Sequence, residues 1–202
     1  MRTRTLLVLI SLVAAGIITS VASAVSVSVR VEGKTQTIFG STAPRIDAES
    51  NALDALASSS LLGEFYYHVA TTSFGLYVDQ IGLFTATGSS GWVFKINGAS
   101  SPVGADSATL RSGDRVLWYW ADFDPVTFAG PKTLFLRRDK SNCYTVFAED
   151  DRGARTPAAG ALLHVGDKRS VKTSSGRACV GRHRGLLVRA TLSGAIRSNA
   201  LR

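Results

Sequence analysis

Val25-Ser26-Val27-Ser28-Val29-Arg30-Val31 alternates apolar and polar residues without a break, which predicts a half-buried strand. Glu32-Gly33-Lys34 predicts a turn, and Thr35 to Phe39 a second strand forming a hairpin with the first. The period then changes. Between Asp47 and Ser60, the residues Ala52, Leu53, Leu56 and Ala57 share one helical face. Asp47 or Ser50 would cap this helix, and Ser58-Ser59-Ser60 would end it. Phe65 to Ala70 and Leu76 to Phe84 are rich in strand-forming residues, and Thr85 to Gly91 reads as a loop. A strand from Trp92 to Ile96 stops on an Asn97-Gly98 turn, and another runs from Val116 to Trp120. One helix after a hairpin, then more strands, predicts an α+β domain.

Beyond Pro131 no helical period survives. Thr133 to Leu136, Cys143 to Phe147, Ala161 to Val165, Ser170 to Thr173, Ala178 to Val180 and Leu186 to Leu192 read as short strands between turn-like separators. That spacing predicts a small all-β sandwich. Charge divides the chain at the same place. Of 23 Lys+Arg and 15 Asp+Glu, residues 25–130 hold 6 and 10, whereas residues 131–202 hold 15 and 5. The Gly130-Pro131 step is a natural linker, so the expected units are 25–130 and 131–202. The strong positive charge of the second points to an acidic partner.

Residues 1–24 belong to neither unit. Arg2 and Arg4 precede an apolar run from Leu6 to Ile18, and Ala22-Ser23-Ala24 follows. This is the order of a secretory signal peptide, and the run is shorter than the ~20 residues that span a bilayer. A secreted, extracellular protein with no transmembrane segment is expected. Export favours oxidation, so Cys143 and Cys179, the two cysteines of the chain, are expected to form a disulfide.

Three stretches together resemble the DUF4430, or transcobalamin C-terminal-like, domain. They are Gly75-Leu76-Tyr77-Val78-Asp79-Gln80-Ile81-Gly82, then Gly91-Trp92 through Asn97-Gly98, then Gly113-Asp114-Arg115-Val116-Leu117-Trp118-Tyr119-Trp120. The Ala52, Leu53, Ala55, Leu56 helix is similar to that family's helix. The resemblance implies a β-grasp-like fold, one helix on a sheet, in an extracellular binding module. The best-known relatives use the domain as half of a cobalamin clamp whose other half is a helical barrel. Here the partner is a short β-rich segment. That segment resembles bacterial immunoglobulin-like or carboxypeptidase-regulatory-like sandwiches, through Thr156-Pro157-Ala158-Ala159-Gly160-Ala161-Leu162, Thr173-Ser174-Ser175-Gly176 and Leu187-Val188-Arg189-Ala190.

No nucleophile elbow, His-Glu-x-x-His site, phosphate loop or dinucleotide fingerprint occurs, so no enzyme, no cofactor and no catalytic residue are expected. Asp122 and Asp124 flank Phe123 and would share a face, but two carboxylates are few for Ca²⁺, so no metal site is expected. No nucleic-acid motif accompanies the basic clusters Arg137-Arg138-Asp139-Lys140 and Arg182-His183-Arg184. Trp92, Tyr77, Trp118 and Trp120 are the candidate ligand-binding residues, because both faces of the Val116–Trp120 strand are apolar and one helix cannot cover both. Phe94 and Ile96 are expected in the core, with Trp92 partly displayed at the strand mouth. The reading is a secreted non-enzymatic binding protein for an extracellular small molecule, a cell-envelope polymer or a protein. Its β-grasp-like domain would contact the ligand, and its basic sandwich would dock to an acidic surface. A structural adhesin or spacer, cobalamin-like binding and an envelope hydrolase are the alternatives. N-terminal sequencing of exported protein should find a start near Val25; a start at Met1 would remove the export argument.

Overall fold

The computed structural model describes residues 24–73, 75–140, 142–167 and 169–202. The expected signal peptide lies outside them, apart from Ala24. Among the described residues no helix is long and apolar enough to cross a membrane. The first part of the chain forms β1 (Val25–Glu32), β2 (Thr37–Phe39), β3 (Arg45–Ala48), α1 (Ala52–Gly63), β4 (Tyr67–Thr72), β5 (Gly75–Ile81), β6 (Phe84–Thr85), β7 (Ser90–Ile96), β8 (Ala99–Ser100) and β9 (Arg115–Asp122). The second forms β10 (Lys132–Lys140), β11 (Cys143–Glu149), β12 (Arg155–Pro157), β13 (Leu162–Val165), β14 (Arg169–Lys172), β15 (Arg177–Cys179), β16 (Val188–Thr191) and β17 (Ala195–Ile196).

The central sheet runs β2-β1-β9-β7-β8, with β3 also paired to β1. β1 and β9 are parallel, whereas β7 and β9 are antiparallel. The register aligns Val29 with Val116 and Ile96, and Val31 with Trp118 and Phe94. Side chains alternate along a strand, so this register gives the sheet one apolar face of Val, Ile, Trp and Phe. Ala52, Ala55 and Leu56 of α1 are buried against it. The opposite face carries Arg30 and Glu32 from β1, Arg115 and Tyr119 from β9, and Lys95 from β7.

Strands dominate, and the expected α+β β-grasp-like arrangement with one helix on a sheet is corrected: this is a β-rich fold. The helix has only twelve residues. It cannot account for the chain's architecture, because β4-β5-β6 form a sheet of their own and the charged face of the central sheet meets the second half. The helix also starts later than its sequence suggests. Asp47 belongs to β3, which pairs with β1. Asn51 is the cap, accepting from the Asp54 N–H at 2.9 Å while Asp54 accepts from the Asn51 N–H at 3.2 Å. The serines do not end the helix, because Ser59 Oγ donates to the Ala55 carbonyl at 2.6 Å and so stays within it.

In the second half, a five-stranded sheet (β12-β11-β10-β17 with β15) and a three-stranded sheet (β14-β13-β16) share a core that includes Leu134, Leu136, Tyr144, Val146, Leu163 and Val188. Cys143 and Cys179 lie opposite each other on β11 and β15 and are joined by a disulfide. Closing a loop over a sequence separation of 36 stabilises the fold by roughly 3–4 kcal/mol in the chain-entropy account.

The two halves meet through buried charge. Glu32, fully buried, accepts from Arg197 Nε at 2.9 Å and lies 3.5 Å from Arg30 Nη1. Arg30 in turn donates to the Arg197 carbonyl at 2.9 Å. Lys95, also fully buried, donates to the Asp150 carbonyl at 2.8 Å and lies 3.2 Å from Asp151 Oδ1. Glu149 pairs with Arg155 at 2.7 Å, and Phe135 lies under both Arg155 and Arg115. At the Asn97-Gly98 turn both residues have positive φ, and a Cβ on Gly98 would sit 2.8 Å from the Glu149 carboxylate. Gly98 therefore serves the turn and the seam together. Removing one partner of a buried ion pair leaves the other charge uncompensated. Glu32→Ala should lower stability by about 3–5 kcal/mol in urea unfolding; a loss below ~1 kcal/mol, the scale of an exposed pair, would contradict a buried seam.

Candidate functional site

A groove of about 240 Å³ opens where the Trp92–Phe94 stretch of β7 leaves the cover of β8 and runs beside β5. Its position follows from the hydrogen-bond parity of the sheet. Asn97 N–H bonds to the Arg115 carbonyl and Phe123 N–H to the Ser89 carbonyl, so the odd-numbered residues of β7 pair with β9. The even-numbered residues turn their main-chain groups away from β9. Those of Ile96 meet β8, and the main chain of Trp92 bonds to the Tyr77 hydroxyl. Phe94 lies between them, at the groove. Gly91 permits the approach of β5, since a Cβ there would sit 2.3 Å from the Tyr77 oxygen.

The walls are apolar and aromatic. Leu76 and Tyr77 of β5 are exposed, and Phe94 and Phe123 are half-buried. Ser100, Ser101 and Asp151 add hydroxyl and carboxylate groups. Asp151 comes from the second half, held by Lys95, by Ser100 Oγ at 3.1 Å and by a main-chain bond from the Ser100 N–H at 2.9 Å. Burial pushes the phenols of Tyr77 and Tyr119 up from their ordinary range, and the Asp151 charge adds to this at Tyr119. Both stay neutral hydroxyls at physiological pH.

Three of the four expected ligand-binding residues come together here: Tyr77, Trp92 and Trp118 line the groove. Trp120 does not, and lies with Lys34 and Asp122 by a different recess. The expectation that Trp92 is partly displayed is corrected. It is 2 % exposed, its Nε1–H donates to the Phe84 carbonyl at 2.8 Å, and it stacks edge-on against Trp120 at 5.8 Å. The strand mouth is roofed by β6, which sequence periodicity does not reveal. Phe94 and Ile96, expected in the core, are half-buried on its margin. Trp118 is buried and donates to the Ala52 carbonyl at 3.3 Å. Trp92 and Trp118 are thus the floor, and Tyr77, Leu76, Phe94 and Phe123 offer the accessible surface. Phe94, Leu76 and Phe123 were not among the expected ligand-binding residues, and neither was Asp151, which enters the groove from the other half.

Asp122 and Asp124 serve local structure. Asp122 accepts from Ser90 Oγ at 2.6 Å and Trp120 Nε1 at 3.0 Å, and the Ser90 bond leads in holding its carboxyl below the ordinary range. Asp124 accepts from the N–H groups of Thr127 at 2.7 Å and Val126 at 3.0 Å, which closes a turn. Among the described residues no three His, Cys, Asp or Glu side chains gather as a metal site. His68 pairs with Asp79 at 2.7 Å across β4 and β5. His164 bonds to Thr191 at 2.7 Å and Ser170 at 2.9 Å, and among the described residues no carboxylate is hydrogen-bonded to it.

Because Trp92 is core, Trp92→Ala should cost about 3–5 kcal/mol, as buried aromatics do. Chemical denaturation measures this, and a loss under ~1 kcal/mol would restore Trp92 to the displayed surface.

Residues 50–122, from the α1 cap to the end of β9, match the family described as Domain of unknown function (DUF4430). That match stops short of the second half, whose likeness to immunoglobulin-like or carboxypeptidase-regulatory-like sandwiches rests on its sequence motifs alone. No curated protein matches the chain.

Proposed function

We propose that this is a secreted, non-enzymatic binding protein of the cell envelope, built from units 25–130 and 131–202, whose groove beside β7 holds a sugar ring of an envelope polymer. The observation that carries the reading is the combination lining that groove. Phe94, Phe123 and Leu76 offer an apolar platform, with Ser100, Ser101 and Asp151 along the same recess. A sugar ring has one such apolar face and a rim of hydroxyls, and aromatic side chains with a few polar groups suit it. The volume of about 240 Å³ is of the size of a ring or two. The basic second half docks to acidic envelope material and keeps the groove close to its ligand.

The test is calorimetric titration with N-acetylglucosamine oligomers and soluble muropeptides. Wild-type protein should bind, and Phe123→Ala should bind at least tenfold more weakly, a change of about 1.4 kcal/mol, while its melting temperature stays near wild type. Equal binding by Phe123→Ala, or no binding of any glycan by the wild type, would contradict the reading.

A further inference from the structure

The second half sorts its charges. Asp139 pairs with Arg137 and Arg177, each at 3.1 Å, and Glu149 with Arg155. Asp151 is taken by Lys95, and Asp150 accepts from the N–H groups of Arg152 and Ala154 at 2.9 Å. Four of the cations left without an acidic side chain gather in one place. Arg138, Arg182, Arg184 and Arg202, with Asn142 and His183, line a concavity of about 500 Å³ to which, among the described residues, no Asp or Glu contributes, the main-chain carboxylate of Arg202 being the one negative group at its edge. None of these four arginine side chains has an Asp or Glu partner among the described residues. A fifth guanidinium, that of Arg169, lies 3.8 Å from where a Cβ on Gly181 would sit.

The concavity is firmly built. Its basic loop, 181–185, leaves β15 directly after Cys179, so the disulfide fixes its root to β11. The Val180 N–H bonds to the Asn142 carbonyl at 2.8 Å. His183 is buried. Its Nδ1 lies 2.8 Å from the Gly181 carbonyl and its Nε2 2.7 Å from the Tyr144 hydroxyl, which also accepts from Arg138 Nη2 at 3.0 Å. The imidazole thus anchors the loop from inside, and its neighbours Arg182 and Arg184 stay exposed. Arg138 also donates to a main-chain carboxylate oxygen of Arg202, the last residue of the sequence, which offsets one of the four positive charges and leaves Arg182 and Arg184 as the exposed pair. Like charges held close on a fixed scaffold repel, and a bound polyanion relieves that cost. Guanidinium forks match the tetrahedral oxygens of phosphate with paired hydrogen bonds.

We propose that this concavity binds phosphate groups of an extracellular polyanion. A recess between β10 and a rigid loop fits a chain of phosphates better than it fits a flat lipid surface. The assignment rests on the reading that residues 131–202 meet acidic envelope material, and it does not depend on the glycan groove.

The probe is short-chain inorganic polyphosphate, titrated calorimetrically at low salt. Arg182→Ala/Arg184→Ala should bind at least tenfold more weakly than wild type and melt alike, since both side chains are exposed. Lys132→Ala/Lys172→Ala removes the same charge elsewhere in this half and should bind within about twofold of wild type. Phe123→Ala should bind polyphosphate as wild type does, which separates this site from the groove. Equal losses in the arginine and lysine pairs would reduce the effect to net charge and overturn the site. Co-sedimentation with phosphatidylglycerol vesicles in the absence of polyphosphate binding would overturn the polymer assignment in favour of a membrane.

Discussion

Glu32 holds a buried carboxylate between the guanidinium groups of Arg30 and Arg197, and most of the architecture depends on that arrangement. The central sheet has one apolar face and one charged face. The apolar face is satisfied by α1 and the tryptophans. The charged face is stable only if every charge on it finds a partner, since an unpaired buried ion costs several kcal/mol. The second half supplies those partners: Arg197 for Glu32, Asp150 and Asp151 for Lys95, and Glu149 beside Arg115. Once they are in place, Asp151 is carried to the edge of the groove and Arg155 lies over Phe135. Structural specificity and site geometry therefore share one set of contacts.

Much of this was legible in the sequence where a single physical rule governs a local stretch. Alternation marked β1, β7 and β9, the Asn97-Gly98 pair marked its turn, and a chain with two cysteines left one pairing. The surplus of apolar residues on β9 was also legible, and Tyr119 shows its use, buried at the seam beside Asp151. What failed were features set by distant contacts. Arg45–Ala48 has helix-like neighbours yet becomes a strand because β1 offers an edge. Nothing in the sequence around Lys95 signals burial, and its full burial depends on carbonyl and carboxylate groups more than fifty residues away. Trp92 reads as displayed because its roof, β6, has only two residues.

The groove and the basic recess use different chemistry and different scaffolds. The groove relies on a sheet edge left open where β8 ends, walled by aromatics that need no charge. The recess relies on a disulfide-rooted loop and on arginines without Asp or Glu partners among the described residues. If the groove holds a neutral ring and the recess an acidic chain, as proposed, the two weak contacts on one rigid body would reinforce each other through effective concentration. That gain requires the seam to be rigid.

Differential scanning calorimetry of residues 25–202 addresses this most directly. If the buried charges lock the halves together, unfolding is one cooperative transition whose calorimetric and van't Hoff enthalpies agree. Two separated transitions, one lost on reducing the disulfide and one unchanged, would show halves that fold independently and would contradict the account.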